Sequence, residues 1–85
     1  MERIKGPTFK DIPISAAIMA ITRQTPNITF NNVNYLSEFS FERDDRISQI
    51  ALDFASGQLM VNASEYEKAR SFLFRKTRTS RGGAV

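Results

Sequence analysis

The stretch IPISAAIMAI, residues 12–21, is the most apolar part of the 85-residue chain and decides how the remainder packs. Four of its members follow helical spacing, namely Ile14, Ala17, Ile18 and Ile21, and its alanines favour helix. Asp11 offers an N-terminal cap, Pro13 is tolerated in a first helical turn, and Pro26 stops the helix from continuing. These features predict a central buried helix over about residues 12–24.

Beyond this helix the apolar residues alternate with polar ones, which is the pattern of strands with one buried face. The first predicted strand covers residues 33–41, and its buried face holds Val33, Tyr35, Phe39 and Phe41. A second predicted strand covers residues 48–54 and a third covers residues 59–61, with turn residues before each of them. Residues 28–30 are a candidate for a short fourth strand.

The C-terminal part of the chain predicts a second helix that begins near Asn62 or Ser64 and ends near Thr77. Asn62 and Glu65 have the spacing of a capping box. The apolar stripe of this helix consists of Tyr66, Ala69 and Leu73. The predicted fold class is therefore α+β, a small two-layer α-β-β-β-α domain whose antiparallel three-stranded sheet packs against two helices.

The length of the chain allows one domain. Residues 1–10 are polar and contain Gly6-Pro7, so they are predicted to be a flexible lead-in. Residues 11–77 form the single predicted α+β domain. Residues 78–85 are basic and glycine-rich and predict a disordered basic tail.

The composition argues against an enzyme, because the chain has no cysteine and no histidine. These residues supply the usual nucleophile–base systems and most zinc ligands. No glycine-rich phosphate loop occurs either, so no cofactor and no metal are expected. The acidic cluster at Glu42, Asp44 and Asp45 is interpreted as a solvated hairpin tip, neutralised by Arg43 and Arg46, rather than as a cation site.

Positive charge is concentrated at the C-terminal end of the chain. Residues 68–85 hold six of the twelve Lys and Arg residues and no Asp or Glu, whereas residues 1–67 have a net negative charge. This asymmetry indicates an anionic partner. The candidate nucleic-acid-binding residues are Arg70, Phe74, Arg75, Lys76, Arg78 and Arg81, with Phe74 as an exposed aromatic beside Arg75.

The resulting hypothesis is a cytoplasmic, non-enzymatic nucleic-acid-associated module that binds the phosphate backbone of DNA or RNA through its basic helix and tail. Its partner would be nucleic acid or an acidic protein surface, and no membrane. The alternative is a small protein–protein adaptor or inhibitor, or a structural subunit of a larger assembly such as a virion or a ribonucleoprotein. The sequence leaves both hypotheses open.

Overall fold

The computed structural model describes residues 5–31 and 36–80. The described residues form, in chain order, β1 (Lys5–Phe9), α1 (Ile12–Thr22), β2 (Asn27–Asn31), β3 (Leu36–Glu42), α2 (Asp45–Ser56) and α3 (Ala63–Ser80). The strands make one antiparallel sheet in the order β1-β3-β2. The α+β class and an antiparallel three-stranded sheet, both predicted from the sequence, are confirmed. The predicted order α-β-β-β-α with two helices is wrong, because the described residues follow the order β-α-β-β-α-α with three helices.

The central strand β3 holds the aromatic side chains of the sheet. Phe39 lies between Phe9 of β1 and Ile28 of β2 in the register. Phe39 and Phe41 are buried, as their alternation predicts, because they face the helical layer. Val33 and Tyr35, which were predicted on the same face, lie outside the described residues.

Helix α1 is the buried centre of the domain, as its composition predicts. Four consecutive residues of α1 are fully buried: Ser15, Ala16, Ala17 and Ile18. The small side chains of Ser15, Ala16 and Ala17 allow α1 to contact both α2 and α3. The helix ends at Thr22, two residues earlier than predicted, since Arg23 adopts the left-handed conformation (φ 65°) and its amide donates to the Met19 carbonyl.

The prediction of a strand over residues 48–54 is wrong, because this segment lies within helix α2. Its apolar residues fit a period of two, but Ile47, Ile50 and Phe54 also fit a helical period. The ends of the segment favour helix: the Asp44 carboxylate accepts a hydrogen bond from the Arg46 amide at 2.9 Å, and Gly57 takes the left-handed conformation (φ 76°) that ends a helix.

The strand predicted over residues 59–61 is also wrong, since this segment is an irregular connection between α2 and α3. The predicted side-chain alternation is present, because Leu59 and Val61 are half-buried and Met60 is exposed. A strand, however, needs a neighbouring strand to pair with its backbone groups. The strand predicted to pair with residues 59–61 covers residues 48–54, which belong to helix α2. The sheet is completed instead by β2, which includes the candidate strand at residues 28–30, and by β1.

Strand β1 lies within the segment that was predicted to be a flexible lead-in. Pro7 has no amide hydrogen and is tolerated because β1 is an edge strand. Gly6 lies so close to β3 that a Cβ atom there would be 2.7 Å from the Phe41 carbonyl oxygen. The Gly-Pro pair therefore permits this strand to dock rather than interrupting it.

At the other end of the chain, α3 continues through Ser80, beyond the end predicted near Thr77. Thr77 is buried and its hydroxyl donates to the Phe74 carbonyl at 3.0 Å. Residues 78–80 are thus helical, and the remainder of the predicted tail, residues 81–85, lies outside the described residues.

Candidate nucleic-acid interface

Helix α3 positions every described residue of the candidate interface. The Asn62 side chain caps the helix by accepting a hydrogen bond from the Glu65 amide at 3.0 Å, at the spacing that the sequence predicted. Ala69, Leu73 and Thr77, four residues apart, are buried along the side of α3 that faces the domain. The basic side chains are consequently displayed around the remaining, exposed part of the helix.

The cations in the first half of α3 are paired with acids. Arg70 binds Glu67 at 3.1 Å, and Lys68 lies 3.7 Å from Glu65. Glu65 also binds Arg23, at 3.0 Å, which joins the start of α3 to the end of α1. These exposed pairs contribute little to stability, but they lower the net charge of this half of the helix.

The second half of α3 is different because residues 71–80 contain three cations, Arg75, Lys76 and Arg78, and no acid. All three side chains are exposed. Within the part of the chain that the structure describes, Lys76 and Arg78 form no ion pair with an acidic side chain. Their position at a helix C-terminus also complements the helix dipole, which is the purely structural interpretation of these charges.

Arg70, Phe74 and Arg78 form a stripe along one side of α3, since residues four apart are neighbours on a helix surface. The Arg70 guanidinium carbon lies 4.9 Å from the centroid of the Phe74 ring. Phe74 is 43% exposed, so its ring is accessible as the sequence predicted. The sequence paired it with the adjacent Arg75, whereas the structure places Arg70 over the ring. We call these three residues the Arg-Phe-Arg stripe.

The remaining predicted residues lie on other sides of the helix. The Lys76 ammonium group is 5.6 Å from the centroid of the Phe72 ring. Arg75 lines a shallow depression of about 470 Å³ on the outer side of α3, together with Glu67, Lys68 and two serines. Arg81 lies outside the described residues. The cations therefore spread over the exposed part of the C-terminal turns of α3 instead of following a single line.

The acidic cluster near the start of α2 has a structural role for at least one member. Asp44 caps α2 and binds Arg46 through two further hydrogen bonds of 3.1 and 2.8 Å. The Arg46 hydrogen bonds lower the pKa of Asp44 from 3.8 to about 2. Among residues 5–31 and 36–80, no group of three or more His, Cys, Asp or Glu side chains is arranged to hold a metal ion.

A second surface feature, an apolar cleft, was not predicted from the sequence. Its volume is about 250 Å³, and its lining residues are Ala17, Phe54, Gly57, Leu59, Val61 and Tyr66. Two strongly exposed apolar side chains occur in the same region of the chain, Leu52 (63% exposed) and Met60 (88%). The cleft joins residues from α1, α2, the α2–α3 connection and α3, so no local sequence pattern encodes it.

Comparisons with protein-family models, with curated proteins and with solved structures found no match for this chain. None of the helices in the described segments is long and apolar enough to cross a lipid bilayer.

Proposed function

We propose that this protein is a non-enzymatic module that binds the phosphate backbone of nucleic acid through the C-terminal half of α3 and the basic residue that follows it. One observation carries the proposal: residues 71–80 display three exposed cations and an exposed phenylalanine with no acid among them. A phosphate backbone is a common cellular ligand for such a cluster, because each phosphate that a cation neutralises releases counterions and so favours binding.

The arrangement of the cations favours backbone contacts over reading of the base sequence. Arg75 and Arg78, three residues apart, are neighbours on the helix surface, whereas Lys76 lies on a different side of the helix. Helix α3 packs lengthwise on the domain through its buried side. Phosphate contacts need only positive charge within reach, whereas base readout needs a helix face inserted into a groove. The exposed Phe74 ring adds a surface on which one unpaired base can stack.

The test is fluorescence anisotropy of the full chain with labelled single- and double-stranded DNA and RNA at several salt concentrations. We expect the logarithm of the association constant to fall by about 0.7 to 0.9 per phosphate contact for each decade of salt. A variant with Arg75, Lys76 and Arg78 all changed to glutamine should lose most of the binding and most of the salt dependence. All three residues are exposed, so the fold should persist.

The matched control removes three exposed cations elsewhere, with Lys5, Lys10 and Arg43 changed to glutamine. Both variants lower the net charge by the same amount. Equal losses in the two variants would mean that overall charge, rather than α3, attracts the nucleic acid. An absence of binding at low salt would remove the proposal altogether.

The apolar cleft supports a second candidate function, an adaptor or a subunit of a larger protein assembly. An apolar cleft and strongly exposed apolar side chains, here Leu52 and Met60, are both typical of protein-binding surfaces. A chain that carries Leu52→Ser and Met60→Ser should then lose a stoichiometric protein partner that survives nuclease treatment, while its nucleic-acid affinity stays the same. Retention of that partner by the double variant would contradict this candidate.

A further inference from the structure

The two edges of the sheet differ in how they are protected against pairing with another strand. Edge strand β1 carries a lysine, a proline and an irregularity of register between Lys5 and Thr8. Charge, proline and bulges are the devices that natural proteins use to block a sheet edge. Edge strand β2, with the sequence NITFN, has none of these three devices. Helix α3 contacts β2, but no described strand pairs with its outer side.

The sequence of β2 is close to symmetric about Thr29, reading Asn, apolar, Thr, apolar, Asn in both directions. Two such strands related by a two-fold axis through Thr29 would pair in antiparallel fashion. Thr29 would lie opposite Thr29 of the second copy, and Ile28 opposite Phe30 of the second copy. Threonine–threonine and aromatic–β-branched pairs are both favourable across strands, and no like charges meet.

The surroundings of β2 also suit a second copy of the chain. Ile28 packs against the core but remains only half-buried, so pairing would cover more of its apolar surface. Thr29 is exposed on the opposite side of the strand. A two-fold interface requires a surface that is complementary to itself, and the symmetric strand meets that requirement.

We propose that the protein forms a homodimer in which β2 of one chain pairs antiparallel with β2 of a second chain, centred on Thr29, to give a continuous six-stranded sheet. Helix α3 contacts β2, so the basic helices of the two chains would both lie next to the strands that form the dimer interface. The dimer itself does not depend on nucleic-acid binding, and the two proposals can fail separately.

Sedimentation equilibrium of the full chain, without nucleic acid and at up to about 1 mM protein, tests the proposal directly. The expected mass rises with concentration from 9.6 kDa towards twice that value. Thr29→Lys places two ammonium groups opposite each other and should weaken the dimer about fivefold or more. Within one chain the introduced ammonium group would face Glu38, which keeps the variant foldable. Thr8→Lys, an exposed change on the other edge, should leave the dimer intact.

Disulfide cross-linking provides a second readout, because the chain has no cysteine of its own. Cβ atoms that face each other across antiparallel strands are about 4.5 to 5.5 Å apart, and the lower end of this range meets the upper limit of about 4.5 Å for a disulfide. Thr29→Cys should therefore oxidise to a covalent dimer much faster than Thr8→Cys at the same concentration. A monomer at every concentration, or equal behaviour of the position 29 and position 8 variants in both assays, would overturn the proposal.

Discussion

The side-chain amide of Gln24 makes two hydrogen bonds to the backbone of Glu42, as a residue of a neighbouring strand would. Its Nε2 donates to the Glu42 carbonyl at 3.1 Å, and its Oε1 accepts from the Glu42 amide at 2.9 Å. The pairing of β2 with β3 begins two residues away from Glu42 along β3, where Asn27 faces Ser40. Gln24 thus extends the hydrogen bonding of β3 beyond the end of β2 and fixes the loop that follows α1.

Gln24→Ala should lower the free energy of unfolding by about 1 kcal/mol, because it removes both hydrogen bonds to β3. Gln49→Ala is the matched control, since the Gln49 amide donates to the Asp53 carboxylate on the surface of α2 at 2.8 Å. Helix-surface pairs of that type contribute about 0.2 to 0.5 kcal/mol. Chemical denaturation of both variants measures the difference, and equal losses would contradict the role assigned to Gln24.

The Asp44–Arg46 interaction should make stability depend on pH below about 4. Folding lowers the pKa of Asp44 from 3.8 to about 2, chiefly through the Arg46 side chain and then through the Arg46 amide. The folded state therefore binds this proton less readily than the unfolded state. The stabilisation is complete above pH 3.8 and is lost as the pH falls towards 2.

Asp44→Asn provides the comparison for this pH dependence, because asparagine still caps a helix but does not titrate. The difference in unfolding free energy between the original chain and the variant should be constant at neutral pH and shrink between about pH 4 and about pH 2. Urea denaturation at a series of pH values measures it. A difference that stays the same throughout this acid range would show that Asp44 titrates normally in the folded protein.

Ser15→Ala should leave stability unchanged or raise it by about 1 kcal/mol. The Ser15 hydroxyl is fully buried and has no hydrogen-bond partner among the described residues, so its removal abolishes a desolvation cost. Thr22→Val, another loss of a buried hydroxyl, should instead destabilise, because Thr22 donates to the Ile18 carbonyl at 2.7 Å. A large loss on Ser15→Ala in thermal or chemical unfolding would mean that this hydroxyl has a partner.

Gly6→Ala should detach β1 from the sheet, since all three atoms that a Cβ would meet within 2.8 Å belong to the backbone of β3 or the residue after it. Gly57→Ala is the control, because a Cβ there meets no atom within 4 Å and the cost is confined to the left-handed conformation, about 1 kcal/mol. Amide hydrogen exchange should show lost protection of Thr8 and Phe9 in the Gly6 variant and retained protection in the Gly57 variant.

The sequence predicted correctly those segments whose residues fit only one period, either that of a helix or that of a strand. Helix α1 has an apolar composition and helical spacing, and Phe39 and Phe41 alternate with polar residues, so both were predicted correctly. Residues 48–54 satisfy the helical and the strand period together. The Asp44 cap and Gly57 decide between the two, and they act at the ends of the segment rather than within it.

The candidate site was predicted correctly in its charge, but the pairing of its residues was not. The absence of acids after Glu67 is visible in the sequence, and so is the exposed position of Phe74. That Arg70 rather than Arg75 covers the Phe74 ring follows from helix geometry, which places residues four apart on one side. The apolar cleft was not predictable, because Ala17 and Tyr66 meet only in the folded chain.

Glu67→Gln should strengthen nucleic-acid binding if the Arg-Phe-Arg stripe contacts phosphate. Glu67 holds the Arg70 guanidinium at 3.1 Å, and its neutral replacement would release Arg70 beside the exposed Phe74 ring. The slope of the logarithm of the association constant against the logarithm of the salt concentration should steepen by up to about 0.7 to 0.9, the value for one added phosphate contact. Glu38→Gln makes the same change of charge on the sheet and should have a much smaller effect, because Glu38 belongs to β3. Anisotropy titrations at several salt concentrations measure both variants, and an unchanged slope in Glu67→Gln would place Arg70 outside the interface.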